Sequence, residues 1–113
     1  MNAFIKSTKE TNEIVIIETN GYLNNDGGEA ISAICYEKIE AGQNKFLINM
    51  AGTKVVNSIG VSILIEIIEK LQEVDGKIGY YNLAPIVSKT FNIMGLTKYS
   101  TVFETEEQAI NGL

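Results

Sequence analysis

Apolar residues recur along this chain in two periods, and the two alternate. Ile14-Val15-Ile16-Ile17, within residues 13–19, is an unbroken β-branched run of the kind found in a strand buried on both faces. The shorter stretch 4–9 reads as a second strand, with Thr11-Asn12 as the turn of a hairpin between them. Gly21 either ends the second strand or marks a bulge in it. Asn24-Asn25-Asp26 then offers helix-capping side chains, and Ile31, Ile34, Cys35 and Ile39 follow on one helical face, with Gly42 as the stop. Residues 45–50 read as a central strand and 51–56 as a connector.

The clearest helix comes next. Asn57 or Ser58 caps it, and Val61, Leu64, Ile65, Ile68 and Leu71 form an apolar stripe with Ile67 and Val74 at its margins. Glu66, Glu69, Lys70 and Glu73 face water, and Glu66 and Lys70 are spaced as an i,i+4 pair. Gly76 stops the helix, and 78–83 is a further strand. Pro85 opens a helix whose inward face holds Ile86, Val87, Thr90, Phe91 and Met94, and Gly95 ends it. Residues 99–103 form a last short strand. Thr105 to Gln108 is a capping box for a terminal helix with Ala109, Ile110 and Leu113 inward. The order β-β-α-β-α-β-α-β-α predicts an α/β fold. A single mixed, mostly parallel sheet of about five strands is expected, with about four helices and an antiparallel opening edge. Nothing divides residues 1–113, so one domain is expected.

Composition narrows the chemistry. The 113 residues include nine lysines, no arginine, no histidine, 14 acidic residues and one cysteine, for a net charge of −5. Without histidine there is no Ser-His-Asp triad and no imidazole base; one cysteine without histidine cannot build an ordinary zinc site. Without arginine there is no bidentate clamp on phosphate. The negative charge disfavours nucleic acid and anionic membranes as partners. Gly27-Gly28 belongs to neither a Walker motif nor GxGxxG, so no metal or cofactor is expected. Cys35 reads as a small buried hydrophobe, and of Tyr80-Tyr81 one is expected to pack and one to be exposed. The glutamates at 104, 106 and 107 read as a solvated helix start. No apolar run is long enough to span a membrane, and residues 1–6 lack a signal-peptide core, so the expectation is a soluble, cytoplasmic, non-catalytic binding module.

Ligand sites of open α/β sheets lie at the carboxyl ends of the strands. Here that end includes the stretches 23–26, 51–60 and 82–85. In the middle one, Asn57-Ser58-Ile59-Gly60 opens a helix, whose free amides and dipole tolerate negative charge. Ser58 is either a plain cap or a candidate phosphorylation site. Gly60 has an equally plain explanation in close helix–sheet packing.

Several segments taken together resemble the STAS domain, specifically the bacterial anti-sigma factor antagonists. Gly21-Tyr22-Leu23-Asn24 resembles the family's Gly-x-Leu-Asp, and Val55-Val56-Asn57-Ser58-Ile59-Gly60-Val61 resembles its hydrophobic pair followed by Asp-Ser-Ser/Thr-Gly-Leu. Pro85-Ile86-Val87 through Gly95-Leu96, and Glu106-Glu107-Gln108-Ala109, resemble its last two helices. The resemblance implies a partner-switching module that binds an anti-sigma factor with serine kinase activity, with a phosphatase as a further partner. It implies a binding surface of Asn24, Asn25, Asp26, Val56, Asn57, Ser58, Ile59, Gly60 and Val61. At the position where the family carries its phosphoacceptor hydroxyl, this chain has Ile59, and Asn57 and Asn24 replace two aspartates. Two readings follow. Either the protein is a permanently unphosphorylated binder, or its switch lies in the partner; otherwise Ser58 or Ser62 accepts the phosphoryl group after a local register change. STAS-like domains also occur as accessory parts of membrane transport complexes, which is the alternative.

Overall fold

The computed structural model describes residues 3–113. It contains β1 (Ile5–Thr11), β2 (Ile14–Leu23), α1 (Asn25–Glu40), β3 (Lys45–Val56), α2 (Ser58–Glu73), β4 (Lys77–Tyr81), α3 (Pro85–Ile93), a 3-10 turn (Leu96–Lys98), β5 (Thr101–Phe103) and α4 (Glu106–Gly112). The five strands lie in one sheet in chain order, β1 antiparallel to β2 and the rest parallel. The α/β fold with its mixed sheet and four helices is as the sequence predicts.

That order fixes where the helices go. Strands β2 to β5 advance in one direction across the sheet. Right-handed crossovers therefore bring α1, α2 and α3 to the same face. Val15, Ile17, Phe46, Ile48, Met50, Ile78 and Tyr80 meet them in the main core, together with Ile31, Cys35, Leu64, Ile67, Val87 and Phe91. The alternate residues Ile14, Ile16, Leu47 and Tyr81 point to the other face and meet Ala109 of α4. This two-sided burial explains the unbroken apolar run of β2.

Several elements differ from the sequence reading. The expected connector 51–56 continues β3, paired with the tail of β2 through Leu23↔Val56. The pairing is irregular near Glu18/Asn20 and Gly21/Tyr22, which breaks the alternation that would reveal a strand. Gly21, at φ 106, is thus within a bulge rather than at a strand end. At Gly52 a Cβ would lie 2.7 Å from the Thr19 carbonyl oxygen, so only glycine fits the close approach. β4 ends at Tyr81 because Asn82 turns left-handed (φ 60), and 96–98 wind into the 3-10 turn before the short β5. Both tyrosines are buried, since β4 is interior to the sheet: Tyr80 packs edge-on to Phe91 at 5.1 Å, and the Tyr81 hydroxyl donates to Glu106 at 2.7 Å. Glu106 is therefore more than a solvated helix start.

α2 buries a wider arc than its stripe. Ile63 and Ile67 are buried and Ile65 is half-buried, because α2 packs against α1 as well as against the sheet. Lys70 pairs with Glu73 at 3.8 Å rather than with Glu66. Ile86, expected inward, is 60% exposed.

The hairpin loop is Asn12-Glu13, one residue later than expected, between the paired Thr11 and Ile14. Both loop residues have positive φ, 51° and 64°. A two-residue loop needs this to match strand twist, and glycine is the usual second residue. Holding Glu13 there costs about 1–2 kcal/mol. Glycine would lose roughly 0.5–1 kcal/mol in unfolded-state entropy, so the strain wins. Glu13→Gly should raise the unfolding free energy by up to about 1 kcal/mol in urea denaturation; a decrease would show that Glu13 is unstrained.

Candidate functional site

The first turns of α1, α2 and α3 share one rim at the carboxyl ends of the strands, because every crossover helix runs antiparallel to the sheet. The start of α2 is locked by its own side chain. Asn57 is the cap, not Ser58, and its Oδ1 accepts the Gly60 N–H at 2.8 Å. Asn24 caps α1 in the same way, accepting the Gly27 N–H at 3.0 Å. An asparagine does this as a neutral group, without the charge an aspartate would bring.

The two helix starts are pressed together. The Asn57 N–H donates to the Leu23 carbonyl at 3.0 Å. A Cβ on Gly60 would run into that carbonyl oxygen and lie 2.7 Å from its carbon. A Cβ on Gly28 would lie 2.8 Å from the Ile63 side chain and 3.3 Å from the Gly60 carbonyl oxygen. Gly60 is thus required by backbone-to-backbone packing.

The predicted site residues divide by exposure. Asn25, Asp26, Ser58 and Ile59 are exposed, while Asn24, Val56 and Asn57 are half-buried. Gly60 and Val61 are buried, so they shape the surface from beneath rather than form it. Ile59 stands 56% exposed in the first turn of α2. Ser62 donates its hydroxyl to the Ser58 carbonyl at 2.7 Å, an ordinary i−4 bond of a helical serine.

The sequence reading left three apolar residues out of the surface. Tyr22 and Val55 are register partners, 45% and 53% exposed, and they point away from the main core because Leu23 and Val56 point into it. Ile86 occupies the same first-turn position in α3 that Ile59 holds in α2. Its signal in the sequence was masked by neighbours that do face inward. Within the rim segments 20–28, 51–61 and 82–88 the only charged residues are Asp26 and Lys54. The rim is therefore nearly neutral, with the exposed apolar groups Tyr22, Val55, Ile59 and Ile86 set among Asn25, Ser58 and Asn82, while the outer α1–α2 face is acidic. There Tyr36 has its phenol pushed up, first by burial and then by Glu66, Glu73 and Glu69.

Catalytic equipment is sparse. Burial pushes the Cys35 thiol up to about 12, which removes its thiolate at neutral pH. Among the described residues there is no cluster of three or more His, Cys, Asp or Glu able to hold a metal, and no helix is long and apolar enough to cross a membrane. The arrangement suits recognition of a surface.

A family model for the STAS domain matches residues 6–109. No curated protein matches the chain. Among solved structures, the anti-sigma factor antagonist SpoIIAA is similar in its unphosphorylated form, at 26% identity over 95% of this chain and 98% of that one, with a TM-score of 0.73. The phosphorylated form of this Bacillus protein gives 27% identity over 93% and 96%, with a TM-score of 0.72. An anti-sigma factor antagonist from Mycobacterium paratuberculosis shares the fold at 17% identity over 93% and 89% (TM-score 0.79). So does a sulfate transporter family protein from Wolinella succinogenes, at 15% over 91% and 86% (TM-score 0.75).

Gly60→Ala tests the rim packing. Backbone has no rotamer to yield, so the variant should lose about 1–3 kcal/mol, read as a lower melting temperature. An unchanged melt would mean that the two helix starts are not in contact.

Proposed function

The chain belongs to the STAS domain family, and from that premise we propose that it is a regulatory binding module of the anti-sigma factor antagonist kind. Its partner on this reading is an anti-sigma factor with serine kinase activity, bound through the rim of Asn24, Asn25, Asp26, Val56, Asn57, Ser58 and Ile59 with Tyr22, Val55 and Ile86 beside it. Sequestering that factor would release a sigma factor and so regulate transcription. The observation that carries the reading is Ile59: a large apolar side chain displayed at a helix start, in a neutral rim, directly before a glycine that packing demands.

The same residue defines how the switch differs. A phosphoryl group at that place would add nearly two negative charges, which the helix start tolerates and an apolar partner surface does not. Isoleucine offers no oxygen to accept it. We therefore read the module as constitutively competent to bind, with control residing in the partner or its phosphatase. Likeness to a sulfate transporter family protein supports a second reading, an accessory domain of a transport complex. Co-purification with transporter subunits and not with a kinase would favour that one.

Ile59→Glu mimics the missing charge. It should weaken binding to the kinase-type anti-sigma factor by at least tenfold, about 1.4 kcal/mol, in a calorimetric titration. Its melting behaviour should stay nearly unchanged, since the side chain is exposed; equal affinity for both forms would remove this surface from the interface. Incubating the protein with that kinase and ATP should leave the intact mass unaltered. A stoichiometric gain of one phosphoryl group, mapped to residues 57–62, would instead establish Ser58 or Ser62 as the acceptor.

A further inference from the structure

An open α/β sheet leaves a crevice where the outgoing connections of two neighbouring strands part to opposite faces. Here α1, α2 and α3 follow β2, β3 and β4 to one face. α4 follows β5 to the other, where Ala109 meets Ile14, Ile16, Leu47 and Tyr81. The loops leaving β4 and β5 therefore diverge, whereas the starts of α1 and α2 leave on the same side and press together. Between the diverging loops opens a crevice of about 410 Å³. Asn82, Leu83 and Ser88 line one wall, and Val102, Phe103 and Glu104 line the other. Topology and cavity thus pick out the same place.

The walls are held in position. A Cβ on Gly79 would lie 2.8 Å from the Phe103 ring, and one on Gly112 would lie 2.7 Å from it, so the two glycines of β4 and α4 give the ring its seat. Asn82 donates its side-chain amide to Asn49 Oδ1 at 3.2 Å, which leaves its own carbonyl oxygen as an acceptor. Charge then narrows the ligand. Glu104 is the charged residue of the lining. Its main-chain N–H donates to Gln108 Oε1 at 3.3 Å, but its carboxylate makes no ion pair or hydrogen bond among the described residues. Glu106 differs, since it holds the Tyr81 hydroxyl and Lys9. Lys89 follows Ser88 in the chain but is not part of the lining.

We propose that this crevice binds a small organic amine in its ammonium form, the ammonium against Glu104 and a short apolar arm along Leu83, Val102 and Phe103. Its volume lies within the range of about 300–1,000 Å³ usual for small-molecule sites. An anion would meet the Glu104 charge. A wholly apolar ligand would strand that carboxylate away from water. A cation satisfies it, and an aromatic wall favours a cation further. Binding here needs no second protein.

A ¹H–¹⁵N NMR titration of the chain with phenethylammonium chloride tests it. Shifts should saturate with a Kd in the millimolar range and concentrate in residues 82–88 and 101–105. The neutral 2-phenylethanol and the anionic 3-phenylpropionate should bind at least roughly fivefold more weakly, and Glu104→Gln should weaken the amine by a similar factor. Ser88→Leu, which fills the crevice from the other wall, should also weaken it. Glu69→Gln, on the acidic α1–α2 face, should change nothing. Shifts that never saturate, that spread over the acidic face, or that survive Glu104→Gln and Ser88→Leu overturn the proposal. So does equal binding of the alcohol or the acid. Nα-acetyl-lysine methylamide should bind more weakly than phenethylammonium, because its long stem loses more freedom; tighter binding would assign the crevice to a lysine of a protein partner instead. The spectrum of each variant before titration separates lost binding from lost fold.

Discussion

The rim depends on one close approach, the first turn of α2 lying directly on the carbonyl that ends β2. The Leu23 oxygen accepts the Asn57 N–H and leaves no room for a side chain at position 60. The next layer repeats the arrangement, with Gly28 of α1 against Ile63 and the Gly60 carbonyl. Two helices and two strand ends are thereby tied through main-chain atoms, which cannot change rotamer. A surface built on such a contact is preorganised, and little is left to order when a partner arrives.

This contact also decides what the surface shows. Gly60, Val61, Ile63 and Leu64 all turn inward. With successive residues about 100° apart around a helix, position 59 lies at the edge of that buried arc, one turn ahead of Ile63, and stands 56% exposed in the first turn. Whatever residue stands there is displayed. The chain displays isoleucine, which solvation alone would not choose, and it exposes further apolar groups at Tyr22 and Val55, at the ends of β2 and β3, and at the equivalent turn of α3. Exposed apolar residues scattered singly need no explanation, but several on one rim with two opposite charges among them do.

The sequence disclosed the fold through its clearest periods. β2, α1 and α2 stood out because each has a buried arc wide enough to dominate its composition. The tail of β3 did not. Its bulged register with β2 lets Gly52 and Thr53 sit inside while Ala51, Lys54 and Val55 face out, and no period of two survives. Thr19 and Thr53 are buried together, hydroxyl to hydroxyl at 2.7 Å, which a polarity-based reading assigns to the surface. The two tyrosines were misjudged for a related reason: alternation says that they face opposite ways, and only the later arrival of α4 buries the second. At the site, the position of Ile59 was legible because a cap and a glycine bracket it. Ile86 was not, because Val87 and Phe91 give the same short helix a genuine inward face.

The acidic flank and the neutral rim bear on why position 58 is no simple replacement for position 59. Ser58, Ser62 and Glu66 are spaced four apart, so they share a stripe on α2. A dianion on Ser58 would extend a face already acidic through Glu66, Glu69 and Glu73, and the local change would be one of degree. A dianion at 59 would arrive where Asp26 and Lys54 cancel, turning a neutral apolar patch into a charged one. That contrast gives a phosphoryl switch at the rim its leverage, since the partner must desolvate whatever it covers. With isoleucine at 59 the leverage is absent while the shape of the rim is kept. On the proposed reading, regulation has moved out of this chain, which keeps the recognition surface in its binding-competent, uncharged form.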